Sequence, residues 1–391
     1  MGTLRGRNDG DLPAHRCLKV LHLGKFDGDV GGIERQLRSL LGNLPPDVQA
    51  TNLVANDSAY TDEHHRYGYR TVRAASHGVV ASVALAPSLP LLARRLHREI
   101  GFDIVHLHFP DPLGQLTAMS LPRSVRRVIS WHSDIVKQKL ALAAYRPVLN
   151  AFVRDADAII GATPQHFSSS QQIAAGRPGQ IREVIPYGFD ASAFTWTEAA
   201  QQRRAALAAE PRTRPVIFTV GRHVYYKGFD VLICALRTVD AELWIGGRGP
   251  LTPQWQQVAR DAGVADRVRF AGFIPDAELV AWYDACDVFC MPSTERAEQF
   301  GLVQLEAMHR GKPVVATRLG TGVEHVTLDE QTGLLVPPGD EAALAAALNR
   351  LLADAALSAR LGEAGRQRVE QVFSQQQMVD GTVDVYRRVL A

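Results

Sequence analysis

The stretch Cys17–Glu34, CLKVLHLGKFDGDVGGIE, contains an apolar run, a glycine-rich turn and the start of a helix in immediate succession. The run Cys17–Leu23 predicts a buried strand, and the following helix is predicted from Ile33 to about Asn43. A strand that passes through a short turn into a helix is the repeating unit of a parallel sheet covered by helices.

The same alternation of apolar runs and helical stretches continues in two series. The first series ends with Ile181–Ile185, after which Pro186-Tyr187-Gly188 interrupts the pattern, and the second begins at Pro215–Val220. The other predicted strands are Asp103–His108, Val125–Trp131, Ala158–Ile160, Glu242–Ile245, Arg267–Phe270, Val288–Met291 and Pro313–Ala316. The sequence therefore predicts an α/β fold of two doubly wound, Rossmann-like domains that face one another across a cleft.

These boundaries divide the chain into four parts. Residues 1–16 are polar and rich in glycine and arginine, which predicts a flexible tail. Residues 17–190 are expected to form the first domain and residues 191–374 the second. Residues 375–391 are predicted to form a helix that packs back on the first domain. Ligands of open parallel sheets bind at the carboxyl ends of the strands, so the functional residues are sought there.

The composition is that of an ordinary globular protein. The chain has 391 residues, 46% of them hydrophobic, and a formal net charge of +2. A dedicated nucleic-acid-binding protein would be strongly basic, so no nucleic-acid partner is expected. Four cysteines are too few for a disulfide framework. No secretory leader and no apolar run of the ~20 residues that span a bilayer is visible, which favours a cytoplasmic protein.

The near-neutral net charge of the whole chain conceals a difference in charge between its two halves. Residues 1–190 contain 22 Lys and Arg against 17 Asp and Glu, whereas residues 191–391 contain 21 against 24. Within the basic half, the segment Leu91–Arg98 is amphipathic and contains three arginines. Such a helix suits the surface of an anionic membrane such as the inner face of the plasma membrane, although a solvated helix face explains it equally well.

Two segments that follow predicted strands contain residues that suit phosphate groups. Gly31 and Gly32 open a helix, where backbone amides and the helix dipole favour an anion. Arg222 and Lys227 lie five residues apart in the loop after Val220, and together they suit a diphosphate. A plain tight turn and a solvated basic loop remain open as alternatives. Neither segment matches the dinucleotide or P-loop fingerprint, which disfavours an oxidoreductase or a P-loop NTPase.

The most specific segment contains two glutamates with seven residues between them, Glu298 and Glu306. Phe300, Gly301 and Leu302 are predicted to start a helix, which places Glu298 in the preceding loop and Glu306 inside the helix, near the domain core. A buried carboxylate needs hydrogen bonds, which a ribose diol would supply. A salt-bridged glutamate on an ordinary helix is the alternative.

A histidine follows another predicted strand. His132, in the segment SWHSD, is expected at a strand's carboxyl end in the cleft, where it would bind a sugar hydroxyl or carry a proton. His106 and His108 alternate along the preceding strand, and we interpret one face of that strand as packing. A purely structural His132 remains the alternative.

In their order and spacing these segments resemble the retaining glycosyltransferases of family 4, which have the GT-B fold. The resemblance covers about residues 17–390, and its strongest motif is the glutamate pair in Glu298-Gln-Phe-Gly-Leu-Val-Gln-Leu-Glu306. The stretches GKPVVAT at 311–317 and TGLLVPPGD at 332–340 support it.

The resemblance implies a role for each candidate residue. Glu306 would bind the ribose hydroxyls of a nucleotide-sugar donor, and Glu298 with the backbone amides of residues 300–302 would bind the donor sugar. Arg222 and Lys227 would neutralise the diphosphate, helped by the Gly31-Gly32 turn, and His132 would contact the transferred sugar. Family members usually need no metal or other cofactor, and none is expected here, although Asp27 and Asp29 form a D-x-D triplet in the donor loop.

The resemblance is greatest to mannosyl- and rhamnosyltransferases of O-antigen and exopolysaccharide synthesis. It implies a GDP-sugar donor and a glycan or lipid-linked oligosaccharide acceptor. A UDP-sugar donor remains open because Glu324-His325 departs from the subgroup's pattern. A non-catalytic nucleotide-sugar or glycan-binding protein also remains open. A glycoside hydrolase is disfavoured, because its two carboxyls lie about 5–9.5 Å apart, whereas residues eight apart on a continuous helix are separated by roughly 12 Å.

Overall fold

The computed structural model describes residues 17–27, 32–80, 83–135, 139–192 and 194–391. They form two α/β domains, each with a mainly parallel sheet between helices, which confirms the predicted fold class. The predicted flexible tail, residues 1–16, lies outside the described residues, as do Gly31 and Asp29.

The first domain is built on an eight-stranded sheet and a separate hairpin. The strands are β1 (Leu18–Phe26), β2 (Val48–Ala55), β3 (Asp62–His64), β4 (Arg70–Ala74), β5 (Val79–Val80), β6 (Val83–Ala84), β7 (Ile104–Phe109), β8 (Arg126–Trp131), β9 (Ala158–Gly161) and β10 (Ile181–Val184). The sheet has the order β10-β9-β8-β7-β1-β2-β4-β3. Only the edge strand β3 is antiparallel to its neighbour, and β5 and β6 form the hairpin.

Five helices accompany this sheet. They are α1 (Gly32–Leu41), α2 (Leu89–Ile100), α3 (Pro112–Met119), α4 (Lys139–Asp155) and α5 (Pro164–Ser169), with a 3-10 turn at Ile173–Ala175. Strands β7 and β9 are buried along their whole length. Burial on both faces explains why these strands read as continuous apolar runs.

The second domain has a six-stranded, fully parallel sheet. Its strands are β11 (Val216–Val220), β12 (Glu242–Gly246), β13 (Val268–Gly272), β14 (Val288–Met291), β15 (Val314–Thr317) and β16 (Leu334–Val336), in the order β13-β12-β11-β14-β15-β16. The helices that follow the first domain are α6 (Glu198–Ala209), α7 (Phe229–Ala235), α8 (Thr252–Asp261), α9 (Asp276–Ala285), α10 (Leu302–His309), α11 (Val323–Val326), α12 (Glu341–Ala353), α13 (Ala355–Val372) and α14 (Gln375–Leu390). Two 3-10 turns lie at Tyr225–Lys227 and Ala265–Arg267.

The chain crosses between the domains twice. It leaves the first domain after β10 and returns through α14, and the Phe189 amide donates to the Phe373 carbonyl at 2.7 Å, which joins the two crossings. Ser374 and Gln377 form a capping box that starts α14 directly after the return. Helix α14 lies on the first sheet, where Met378, Val379, Val383, Tyr386 and Val389 pack against Val20, Ile104, Val128 and Ile160.

Each sheet has a point where the strand order reverses. In the first sheet β1 lies between β7 and β2, and in the second β11 lies between β14 and β12. Loops on the two sides of such a point run to opposite faces of the sheet and leave a crevice at the strands' carboxyl ends. The loops after β1, β11 and β14, which contain most of the sequence-predicted site residues, all start at these points.

Candidate active site

The centre of the site is an ion pair between two neighbouring loops. Lys227, after β11, donates from Nζ to Oε2 of Glu298, after β14, at 2.6 Å. Ser293 Oγ donates to the same oxygen at 3.1 Å. Only 11% of the Lys227 side chain and 12% of the Glu298 side chain are exposed. Each charge therefore depends on the other, because an unpaired buried charge costs several kcal/mol.

A glycine allows these two loops to approach each other. Gly228 has a φ of +63°, and a Cβ at this position would overlap the carbonyl oxygen of Pro292. The Thr294 amide donates to the Tyr226 carbonyl at 2.8 Å, which fixes the loops side by side. Arg222 lies earlier in the same loop and is exposed. The structure thus places both predicted cations on one loop but joins only Lys227 to Glu298.

The start of α10 provides free backbone amides beside the ion pair. The helix begins at Leu302 after Gly301, whose φ of +72° is in the left-handed region. Gln304 Nε2 donates to the Phe300 carbonyl at 3.0 Å and so braces the turn. The first amides of a helix have no carbonyl partner within it, so this end suits an anion or a hydroxyl.

The glycine turn of the first domain lies against this helix. A Cβ on Gly32 would lie 3.3 Å from Cδ1 of Leu302, so a side chain at position 32 would crowd the start of α10. Gly31 lies outside the described residues. The two domains therefore bring the start of α1 and the start of α10 together, as a shared anion site requires.

Glu306 lies on α10 and faces Tyr283 of α9. Tyr283 donates from its hydroxyl to Oε2 of Glu306 at 2.7 Å. Burial raises the pKa of Glu306 to about 6, although the Tyr283 hydrogen bond and the charge of Arg35 oppose the shift. Keeping the Glu306 carboxylate charged in this position costs free energy, and further hydroxyl donors would stabilise the charged form.

Two groups that act on this carboxylate do not follow from the sequence. Tyr283 hydrogen-bonds to it, and the positive charge of Arg35 on α1 opposes the rise in its pKa. A half-buried glutamate signals that some partner exists, but the partner's position follows only from the packing of α9 and α1. Nη2 of Arg35 also lies 3.4 Å from Oδ2 of Asp276, which makes Arg35 a second link, beside Gly32, between the two domains.

His132 follows β8 and lies at the cleft edge of the first domain. Its Nδ1 is 2.6 Å from the Tyr187 hydroxyl, and its Nε2 is 3.1 Å from Nδ1 of His108. Burial and the nearby His166 lower the pKa of His132 to about 3, so the ring is neutral. Tyr187 also packs on Phe300, with ring centroids 4.8 Å apart, and so links His132 to the loop before α10. All of these contacts are made within the protein, so the predicted contact between His132 and a sugar stays a prediction.

No single helix among the described residues combines the length and the apolar composition of a membrane span. Helices α12 and α13 meet both criteria only as a pair, and the pair is bent by 101°.

Two family models match most of the chain. The model described as Glycosyltransferase Family 4 matches residues 30–193, and the model described as Glycosyl transferases group 1 matches residues 202–368. The first match covers the domain with Gly32 and His132, and the second covers the domain with Lys227, Glu298 and Glu306.

Relatives of similar length match over nearly the whole chain. The O-antigen chain mannosyltransferase C of Escherichia coli is 29% identical, over 95% of this chain and 99% of the relative. The D-rhamnosyltransferase WbpZ of Pseudomonas aeruginosa is 31% identical, over 91% and 92%. The GDP-mannose-dependent alpha-(1-6)-phosphatidylinositol monomannoside mannosyltransferase of Mycolicibacterium smegmatis is 33% identical, over 86% and 89%.

The fold is shared with solved structures. HepE of Anabaena, in complex with UDP, matches with a TM-score of 0.78 at 21% identity, over 95% of this chain and 100% of that one. With both domains matched and relatives aligned along most of its length, the chain belongs to glycosyltransferase family 4 and has the GT-B fold.

Proposed function

We propose that this glycosyltransferase transfers mannose or rhamnose from a GDP-sugar, with retention of configuration, to a growing glycan or lipid-linked oligosaccharide. The observation that carries the proposal is the Lys227–Glu298 pair, 2.6 Å apart, beside the start of α10 and opposite Gly32. It combines a cation for a diphosphate, a carboxylate for sugar hydroxyls and free amides in one crevice.

The donor would lie along this crevice with each part against a suitable group. Glu306 accepts hydrogen bonds from the ribose hydroxyls, and Arg222 and Lys227 neutralise the diphosphate. Glu298 and the amides of residues 300–302 bind the hydroxyls of the sugar. Lys227 then has two alternative anionic partners, since it neutralises Glu298 when the donor is absent and the diphosphate when the donor is bound.

The reaction breaks the bond between C1 of the sugar and the diphosphate oxygen and forms a bond between C1 and the acceptor oxygen. The departing oxygen gains negative charge, which Lys227, Arg222 and the start of α10 stabilise in a site poor in water. The same oxygen can take the proton of the acceptor hydroxyl. Departure and attack on one face of the sugar then retain the configuration at C1.

GDP is favoured over UDP because one relative at 33% identity is named GDP-mannose-dependent. A thermal-shift panel of GDP-, UDP-, ADP- and dTDP-sugars tests the choice, because a ligand of the native state raises its apparent stability. GDP-mannose or GDP-rhamnose should give the largest shift. A larger shift with a UDP-sugar would replace the proposed nucleotide.

The surface of the first domain supports a lipid-linked acceptor and a peripheral membrane location. Leu91 on α2 is 67% exposed, Leu116 on α3 is 50% exposed, and the neighbouring Arg94, Arg95 and Arg98 are also exposed. Exposed leucines among arginines suit an anionic lipid surface. The enzyme would therefore act in the cytoplasm at the inner face of the membrane, on a lipid-linked acceptor held there.

A further inference from the structure

A line of four buried histidines runs through the first domain from the cleft to helix α14. The rings belong to three adjacent strands or their ends, β1, β7 and β8, and all are at most 6% exposed. In order from the cleft they are His132, His108, His22 and His106. Only the first of them has a role in the proposed reaction.

Hydrogen bonds join the cleft end of this line without a gap. The Tyr187 hydroxyl is 2.6 Å from Nδ1 of His132, and Nε2 of His132 is 3.1 Å from Nδ1 of His108. Nε2 of His108 is in turn 3.2 Å from Nδ1 of His22. Each ring thus uses both nitrogens within the line.

The inner end continues through a second tyrosine. Nε2 of His22 is 3.2 Å from the hydroxyl of Tyr386 on α14. That hydroxyl is 2.6 Å from Nδ1 of His106, whose Nε2 is 2.8 Å from Oγ of Ser130. The line therefore contains one tyrosine from each crossing of the chain. Tyr187 comes from the outward segment and Tyr386 from the returning helix.

Burial holds all four rings neutral, because desolvation lowers the pKa of each histidine below its usual value. A neutral imidazole has one N–H and one lone pair. If one ring donates along the line, the next must accept and donate onward in the same direction. The hydrogen bonds of the line can therefore run in either of two directions. In one direction every histidine carries its hydrogen on Nε2, and in the other every histidine carries it on Nδ1.

The distances select one of these directions. An O–H donor makes a shorter bond than an N–H donor, and the two 2.6 Å contacts both join a tyrosine hydroxyl to an Nδ1. The third tyrosine contact, from His22 Nε2 to Tyr386, is longer at 3.2 Å. Both tyrosines then donate to Nδ1, and His22 donates to Tyr386, which places every histidine hydrogen on Nε2.

A metal site is the competing explanation for this cluster. His22, His106 and His108 have ring nitrogens within 4.8 Å of one another. Nε2 of His108 and Nδ1 of His22 share a hydrogen bond at 3.2 Å, so one of these two nitrogens carries a hydrogen and cannot bind a metal. The rings of His106 and His108 are stacked, with centroids 4.6 Å apart and an interplanar angle of 21°, so their in-plane lone pairs do not converge. The Tyr386 hydroxyl already lies between His22 and His106.

We infer that His108, His22 and Tyr386 are positioning residues that hold His132 in the Nε2–H tautomer, so that its Nδ1 lone pair, which accepts from the Tyr187 hydroxyl in this structure, can accept instead from a sugar hydroxyl. This inference rests on the role proposed above for His132. It adds a direction to that role, since His132 accepts a hydrogen bond from the sugar hydroxyl, in place of Tyr187, and does not donate one.

The tautomers can be measured in the wild-type protein, with variants needed only for assignment. In protein labelled with ¹⁵N-histidine, long-range ¹H–¹⁵N correlation spectra distinguish Nε2–H, Nδ1–H and charged rings, and single His→Gln variants assign the signals. All four rings should be neutral and in the Nε2–H form at pH 7. A charged ring, an Nδ1–H ring or a bound metal ion in the purified protein would overturn the inference.

Coupling along the line is tested by removing the tyrosine hydroxyls. In Tyr187→Phe, Tyr386 should still hold His132 in the Nε2–H form, whereas Tyr187→Phe/Tyr386→Phe should populate both tautomers. The matched control is Tyr187→Phe/Thr382→Val. It removes the Thr382 hydroxyl, which lies one turn earlier on α14 and donates to the Met378 carbonyl. It should behave like Tyr187→Phe.

Two results would contradict the coupling: mixed tautomers in Tyr187→Phe alone, or a single tautomer in the double Tyr→Phe variant. Activity gives a second readout, since kcat should fall several-fold from Tyr187→Phe to the double variant while the affinity for free GDP, which lacks the sugar that His132 contacts, stays the same. If the protein lacked transferase activity, the proposed function would fail, but the tautomer measurement would still decide the inference.

Discussion

Lys227 and Glu298 are 71 residues apart in sequence, yet Nζ of one lies 2.6 Å from Oε2 of the other. The contact exists because β11 and β14 are neighbours in the second sheet, at the point where the strand order reverses. When the donor is absent, the charges of Lys227 and Glu298 neutralise each other in the crevice. A diphosphate that takes Lys227 as its partner frees Glu298 to accept hydrogen bonds from the sugar.

Replacing the lysine should lower turnover as well as stability, because it also leaves the buried Glu298 carboxylate without its partner. Lys227→Gln removes the cation nearest the departing diphosphate, and kcat should fall by roughly 10²–10³-fold, the range for removing one group that stabilises developing charge. Lys312→Gln is the matched control, because Lys312 also makes a side-chain hydrogen bond in this domain, to the Asp284 carbonyl. Steady-state kinetics with melting temperatures separate the effects. If Lys227→Gln lowered only the melting temperature, the loop would be structural.

Donor affinity should depend on the charge of Glu306. Its pKa is raised to about 6, so the carboxylate that accepts ribose hydrogen bonds is lost as the pH falls below 6. Calorimetric titration with the nucleotide should show weaker binding at pH 5 than at pH 7.5. Glu306→Ala should weaken binding by at least tenfold at pH 7.5 and remove the pH dependence. Unchanged affinity in this variant would rule out the ribose role.

The same carboxylate should cost the protein stability in the absence of donor. A folded-state pKa of about 6, above the ordinary glutamate pKa of 4.5, means that this contribution to stability is retained below pH 4.5 and lost as the pH rises through 6. Glu306→Gln should therefore be more stable than the wild type by about 1–2 kcal/mol at pH 7.5 and no more stable near pH 4.5. Denaturant unfolding at both pH values measures the difference. A variant less stable at pH 7.5 would show that the carboxylate stabilises the empty site.

The basic face of α2 should bind anionic lipid. Arg94→Glu/Arg95→Glu/Arg98→Glu should abolish sedimentation with vesicles that contain phosphatidylglycerol. The control Arg237→Glu/Arg350→Glu/Arg360→Glu makes the same change in net charge on the second domain and should sediment like the wild type. Equal sedimentation of all three proteins would show that α2 is only a solvated helix.

Most of the fold could be predicted because its buried strands are mainly apolar. Strands β7, β9, β14 and β15 have all their residues buried, and the sequence predicts each of them, including β7, whose apolar run contains His106 and His108. Strand β2 was missed, because Thr51 and Asn52 interrupt its apolar pattern, and they become buried only when β2 lies between β1 and β4. Polar residues in a central strand therefore concealed it.

The residues of the candidate site also fall into those that the sequence predicts and those that it does not. Glu298 and Glu306 could be identified from their spacing, and Lys227 from its place after a strand, because these signals are local. Tyr283 and Arg35 could not be identified, since their contacts depend on how α9 and α1 pack around α10. The histidine line is also invisible in sequence, because it joins side chains from three strands and both crossings of the chain.

The proposed reaction transfers a hexose from a GDP-sugar with retention of configuration. The sharpest test is NMR of the product formed from GDP-α-D-mannose and an octyl mannoside or rhamnoside acceptor, with Lys227→Gln as the low-activity control. The product should contain a new α-mannosidic linkage, which the control should form roughly 10²–10³-fold more slowly. A β linkage would show inversion and contradict the proposed reaction.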